Sequence, residues 1–123
     1  MAKILLVDDM DGVRRSVQAV LRAEGHNIVE AADGADAISR LKTESFDLII
    51  TDVLMPEVDG LEVLMVARAL PSPVPTILIS GGAPGVSIDS ALRFGREMRA
   101  VTLAKPFDRS ELTDAVRQAL ADT

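Results

Sequence analysis

The feature that most constrains this chain is an alternation. Five short apolar runs, "KILLV" (3–7), "NIVEA" (27–31), "DLIIT" (47–51), "TILIS" (76–80) and "AVTLA" (100–104), are separated by amphipathic stretches. Each run has the length and hydrophobicity of a buried strand. Between the first two, Val13, Val17, Val20 and Leu21 follow helical spacing, with Asp11 as the candidate N-cap and Gly25 as the stop. A second helix is predicted from Asp33 or Gly34 to about Lys42, with Ala37, Ile38 and Leu41 on one side. Asp59 and Glu62 stand at capping-box spacing before a third helix, which "PSPVP" (71–75) ends. Asp108 and Glu111 repeat the device before a final helix that reaches about Ala121. A fourth helix is expected within 84–98, where Ile88, Ala91 and Leu92 supply an apolar face. Gly81, Gly82, Gly85 and Gly95 loosen that region.

Strands alternating with helices imply an α/β fold, a doubly wound parallel sheet with right-handed crossovers and helices on both faces. In such a sheet the functional crevice lies outside the carboxyl ends of the strands, where strand order reverses. Polar residues at those ends therefore carry the most weight: Asp8 and Asp9 after the first strand, Asp52 after the third, Ser80 ending the fourth and Lys105 after the fifth.

The chain has 123 residues, which predicts one domain over 1–123. With 48% hydrophobic and 26% charged residues it has the balance of a soluble globular protein. A net charge of −6 argues against direct DNA binding, which depends on neutralising phosphates. There is no cysteine for a disulfide or thiolate metal site, and no apolar stretch long enough to span a membrane. A cytoplasmic location is the expectation.

If the first and third strands are neighbours, Asp8, Asp9 and Asp52 converge. Carboxylates so placed either raise one another's pKa or take up a cation. Oxygen-only ligands suit a hard divalent ion, Mg²⁺ first and Mn²⁺ as the alternative. Taken alone, Asp8 and Asp9 also fit a plain reading as solvated loop residues. Asp52 beside such an ion can act as a nucleophile toward a phosphoryl group. Lys105 can pair with a phosphoryl oxygen and the Ser80 hydroxyl can donate to another. Each of these two is a weak signal singly; their shared rim makes the set specific.

The segments "LLVDD", "DLIITDVLMPEVDG", "ILISG" and "LAKPF" resemble, in order and spacing, the receiver domain of two-component response regulators, and the likeness covers essentially the whole chain. The resemblance implies a flavodoxin-like five-stranded parallel sheet of order 2-1-3-4-5 with five helices on both faces. It makes Asp52 the phosphoacceptor. It gives Mg²⁺ the ligands Asp9, Asp52 and the Leu54 backbone carbonyl, with Asp8 holding metal-bound water. Lys105 and Ser80 would contact the phosphoryl group, and the bond from Lys105 to Pro106 would be cis. The donor would be a histidine kinase or a histidine phosphotransfer protein. The chain would be a regulatory domain rather than an enzyme acting on other substrates. It would signal to an output protein through the fourth helix, fifth strand and final helix, where Arg93, Arg96, Arg99, Arg109 and Arg117 concentrate.

Departures from the family pattern matter as much. An aromatic switch residue is common three positions before the lysine; here that position is Thr102, so any switch falls to Ser80 and the loop after it. Leu54 and Gly82 hold the variable positions that tune hydrolysis, and neither side chain can hydrogen-bond an attacking water. Thr102 also keeps open a second reading, a degenerate receiver acting as a phosphorylation-independent docking scaffold. A haloacid-dehalogenase-type phosphatase would need an aspartate where Leu54 stands. A flavin module would need a phosphate cradle where "DDMD" would repel phosphate. His26, in a helix-to-strand turn, reads as a surface residue, and Met55 as packing in the loop after Asp52.

Overall fold

On the first strand, Ile4 and Leu6 join one hydrophobic cluster while Leu5 and Val7 join another, and all four are buried. A strand that is apolar on both sides needs a layer of helices on each. The computed structural model, which describes residues 2–55, 57–81, 93 and 95–121, has that architecture. The strands are β1 (Lys3–Val7), β2 (Asn27–Ala31), β3 (Leu48–Asp52), β4 (Thr76–Ser80) and β5 (Val101–Ala104). They form one sheet in the order β2-β1-β3-β4-β5, and every pairing is parallel. Among the described residues the complete helices are α1 (Asp11–Ala23), α2 (Gly34–Thr43), α3 (Gly60–Ala69) and α4 (Arg109–Ala121). Helical backbone recurs at 93 and 95–97, inside the stretch where the fourth of five helices was expected; positions 82–92, Gly82 among them, lie outside the described residues.

On one face of the sheet, Val17 and Leu21 of α1 and Leu112, Val116 and Ala119 of α4 cover Ile4, Leu6, Ile50, Ile77 and Ile79. On the other, Ala37 and Leu41 of α2 and Val63 and Ala67 of α3 cover Leu5, Val7 and Ile49, with Phe46 and Met55 closing the cluster. Leu64 of α3 packs with Leu78 and Val53 toward β4. The three central strands are thus sealed from both sides, and only their ends and loops are left to meet solvent.

The caps follow the sequence except at α1. Asp33 Oδ1 accepts from the Asp36 N–H at 2.7 Å, and Asp59 Oδ1 accepts from the Glu62 N–H at 3.0 Å. Before α4 both halves of a capping box form: the Glu111 N–H donates to Asp108 Oδ1 at 2.8 Å and the Asp108 N–H to Glu111 Oε1 at 3.2 Å. At α1 the expected cap is displaced. Met10 is the N-cap and offers no side-chain acceptor, while Asp11 is the first helical residue, its carboxylate bound to Arg14 at 2.6 Å. An i, i+3 ion pair has outcompeted the capping bond. Gly25, at φ 90°, supplies the left-handed turn that closes α1. His26 is half-buried rather than a free surface residue, because its Nδ1 accepts from the Ala2 N–H at 3.2 Å.

Candidate functional site

The register explains why the aspartates meet. Val7 of β1 pairs with Thr51 of β3, so Asp8 and Asp52 emerge side by side at the carboxyl edge. A carboxylate oxygen from each of Asp8, Asp9 and Asp52 lies within 4.8 Å of the others. Their surroundings differ: Asp8 and Asp52 are buried, whereas Asp9 is exposed. Asp8 Oδ1 accepts from the Met10 N–H at 2.9 Å, and Asp52 Oδ1 from the Leu54 N–H at 3.2 Å. The turn after each strand therefore orients the carboxylate that precedes it.

Lys105 reaches this cluster from the far side. Its Nζ sits 2.9 Å from Asp52 Oδ2 and 3.9 Å from Asp8 Oδ2. Two features deliver it there. The Lys105 N–H donates to the Ser80 carbonyl at 2.7 Å, which continues the pairing of β4 with β5 by one residue. Gly81 leaves room for the stem, since a Cβ there would come within 3.1 Å of Lys105 Cδ. The next peptide bond, Lys105–Pro106, is cis. Ser80 is buried at the tip of β4, beside Lys105.

Burial pushes the Asp8 carboxyl above its usual range, and the neighbouring charges of Asp52 and Asp9 push the same way. The Met10 N–H and Lys105 oppose the rise without cancelling it. Among the described residues, the Lys105 ammonium pairs with two of the three carboxylates, those of Asp52 and Asp8. The donor set is all oxygen, compact and in excess of local positive charge, which fits a hard divalent cation. Leu54 is exposed in the loop after β3, with its backbone tied to Asp52. Thr102 is half-buried opposite Leu78 on β5, without an aromatic ring to turn inward. The arginines at 93, 96, 99, 109 and 117 are all exposed. Among the described residues, Arg109 pairs with Glu24 at 3.6 Å and Arg117 with Asp114 at 3.3 Å.

Two contributors escape a reading by strand ends. A Cβ on Gly60 would run into the Asp52 carbonyl and come within 2.9 Å of Val53 Cα, and the Gly60 N–H donates to the Val53 carbonyl at 2.9 Å. The start of α3 is therefore pressed against the backbone of Asp52. Arg14, one turn into α1, donates to the Asp8 carbonyl at 2.7 Å. Its i, i+3 spacing from Asp11 was the one available sequence signal.

Residues 4–117 match the response regulator receiver domain family. The chain is 33% identical over 119 residues to sporulation initiation phosphotransferase F of Bacillus subtilis (strain 168), covering 96% of this chain and 93% of that protein. It is 32% identical over 120 residues to the transcriptional regulatory protein ZraR of Salmonella typhimurium, where the match covers 98% of this chain and 26% of the longer protein. The crystal structure of chemotaxis protein CheY4 of Vibrio cholerae superposes with a TM-score of 0.83 at 30% identity, covering 98% of this chain and 99% of that one. This chain belongs to the response regulator receiver domain family. The family's part in two-component signalling is that of a regulatory switch governed by phosphorylation.

Proposed function

We propose that this chain accepts a phosphoryl group on Asp52 from a histidine kinase or a histidine phosphotransfer protein, in a divalent-cation-dependent reaction in the cytoplasm, and signals through protein contacts. The observation that carries the reading is the 2.9 Å contact of Lys105 Nζ with Asp52 Oδ2, opposite the carboxylates of Asp8 and Asp9.

In the reaction, a carboxylate oxygen of Asp52 forms a bond to the phosphorus of the donor phosphohistidine as the phosphorus–nitrogen bond breaks. The electron pair stays on the imidazole nitrogen, which then takes up a proton. The hydrogen bonds from the Leu54 N–H and Lys105 hold the Asp52 carboxylate in one orientation before attack. Asp8, Asp9, Asp52 and the Leu54 carbonyl would hold Mg²⁺, or Mn²⁺ in its place, which supplies charge neutralisation for the transferring phosphoryl group. Lys105 can pass from Asp52 to a phosphoryl oxygen as a mobile ammonium. The Ser80 hydroxyl, on the adjoining strand tip, would donate to a second. The phosphoryl group adds roughly −1.5 to −2 charges, and repartnering Lys105 and Ser80 carries that change into β4, β5 and the loops beyond. The output protein would read it on the surface that β5 and α4 share with the 93–99 stretch.

Intact-mass spectrometry after incubation with acetyl phosphate tests the reading. The parent is expected to gain one phosphoryl group only with Mg²⁺ present, and Asp52→Ala none. A parent that stays unmodified with Mg²⁺ overturns the proposal and favours the docking scaffold.

A further inference from the structure

Arg14 is half-hidden beside the acidic cluster, its side chain 15% exposed, and it touches the β1–α1 turn, the start of its own helix and β2. Nη1 donates to the Asp8 backbone carbonyl at 2.7 Å, Nη2 binds Asp11 Oδ1 at 2.6 Å at the start of α1, and Nε lies 3.4 Å from Glu30 Oε1 on β2. The turn it grips has few other restraints. Met10, the N-cap of α1, makes no side-chain capping bond, and Asp9 is exposed. Among the described residues the turn is also tied by the Asp8 N–H to the Ala31 carbonyl at 3.3 Å, the Met10 N–H to Asp8 Oδ1 at 2.9 Å and the Arg14 N–H to the Met10 carbonyl at 3.0 Å.

We propose that Arg14 is a positioning residue for the divalent-cation site, clamping the β1–α1 turn so that Asp8 and Asp9 present their carboxylates together. The clamp engages the backbone of Asp8 and leaves its carboxylate, and that of Asp9, to face the cation. It also brings a positive charge to a region holding Asp8, Asp9, Asp11 and Glu30 without competing for the oxygens that would bind metal. Three differently directed contacts need the planar fork of a guanidinium; an ammonium cannot make all of them at once. Residues that support metal ligands from behind typically change metal affinity about 10- to 100-fold when removed.

The inference rests on the metal-dependent reading above, and one series separates the two. Mg²⁺ affinity is measured calorimetrically on the parent, Arg14→Gln and Arg14→Lys, together with the Mg²⁺ dependence of acetyl phosphate labelling. Arg14→Gln is expected to raise the half-saturating Mg²⁺ concentration about 10-fold while the labelling rate at saturating Mg²⁺ stays near that of the parent, and Arg14→Lys to fall between the two. A purely structural role would lower the melting temperature and leave the Mg²⁺ midpoint in place, and that result overturns the proposal. If Arg14→Gln does not fold, Glu30→Gln, which removes one arm of the clamp, must shift the midpoint in the same direction; an unshifted midpoint is equally fatal. A parent indifferent to Mg²⁺ brings down the metal reading, and this inference with it.

Discussion

Asp8 is 1% exposed, has Lys105 at 3.9 Å, and lies beside two further carboxylates. Its native pKa is raised above the usual 3.8, chiefly by burial. The folded chain therefore holds this proton more tightly than the unfolded chain does. The stability that this proton contributes is complete below the unfolded value and is lost as pH rises through the native one. Asp8→Asn keeps an oxygen for the Met10 N–H and removes the ionisation. Without divalent cations it is expected to melt above the parent at neutral pH, with the gain fading as pH falls toward 3.8. Thermal melts of both proteins across that range check the sign. A variant that is less stable than the parent at pH 7 would show that burial does not govern Asp8. Added Mg²⁺ is expected to narrow the gap by stabilising only the parent appreciably.

Elements hold these residues in place through their ends rather than their middles. The carboxyl tip of β3 is trapped between the Leu54 N–H, which binds the Asp52 side chain, and Gly60, whose Cα abuts the Asp52 carbonyl. Gly60→Ala must push either α3 or the β3 tip aside, an overpacking cost of about 1–3 kcal/mol. A lower urea midpoint and slower acetyl phosphate labelling are expected; an unchanged midpoint would mean that the α3 start yields freely. In the layers, Leu21 of α1 is fully buried against β1 and α4. Leu21→Ala is expected to cost about 2–5 kcal/mol, readable in the same urea titration, with the Mg²⁺ midpoint unmoved because α1 would still present Arg14. The element pattern was largely legible in advance. All five strands sit within one residue of their predicted bounds, and Asp59 and Asp108 cap as their spacing suggests. The start of α1 was not. Spacing alone cannot tell whether the Asp11 carboxylate caps its own helix or binds Arg14, since that depends on where Asp8 and Glu30 draw the guanidinium.

At the scale of the molecule, two apolar layers fasten the sheet while a negative cluster only partly offset by Lys105 sits at one edge of it. A ligand that binds only the folded state adds RT ln(1 + [L]/Kd) to stability, about 2.7 kcal/mol at a hundredfold excess over Kd. Mg²⁺ is therefore expected to raise the parent's melting temperature by several degrees, and to leave Asp9→Ala nearly unaffected because the exposed carboxylate most open to solvent is gone. Differential scanning calorimetry at fixed ionic strength separates this from general screening, with NaCl as the control. Equal shifts in parent and variant would show that the cluster does not select the cation.

The alternation of apolar runs with helical spacing determined the layers and the sheet, because burial on two faces leaves a chain with that period few other ways to exclude water. It also brought Asp8, Asp9, Asp52, Ser80 and Lys105 to strand ends, since a parallel sheet gathers the carboxyl ends of its strands along one edge. What only the tertiary structure decided are the contacts between residues far apart in the chain. Lys105 meets Asp52 across 53 positions, Gly60 presses on the Asp52 backbone carbonyl, and Arg14 clasps the turn before its helix together with β2. Such contacts depend on register and on the space left by neighbours to within an ångström, and periodicity, which records only which face a residue occupies, does not carry that information.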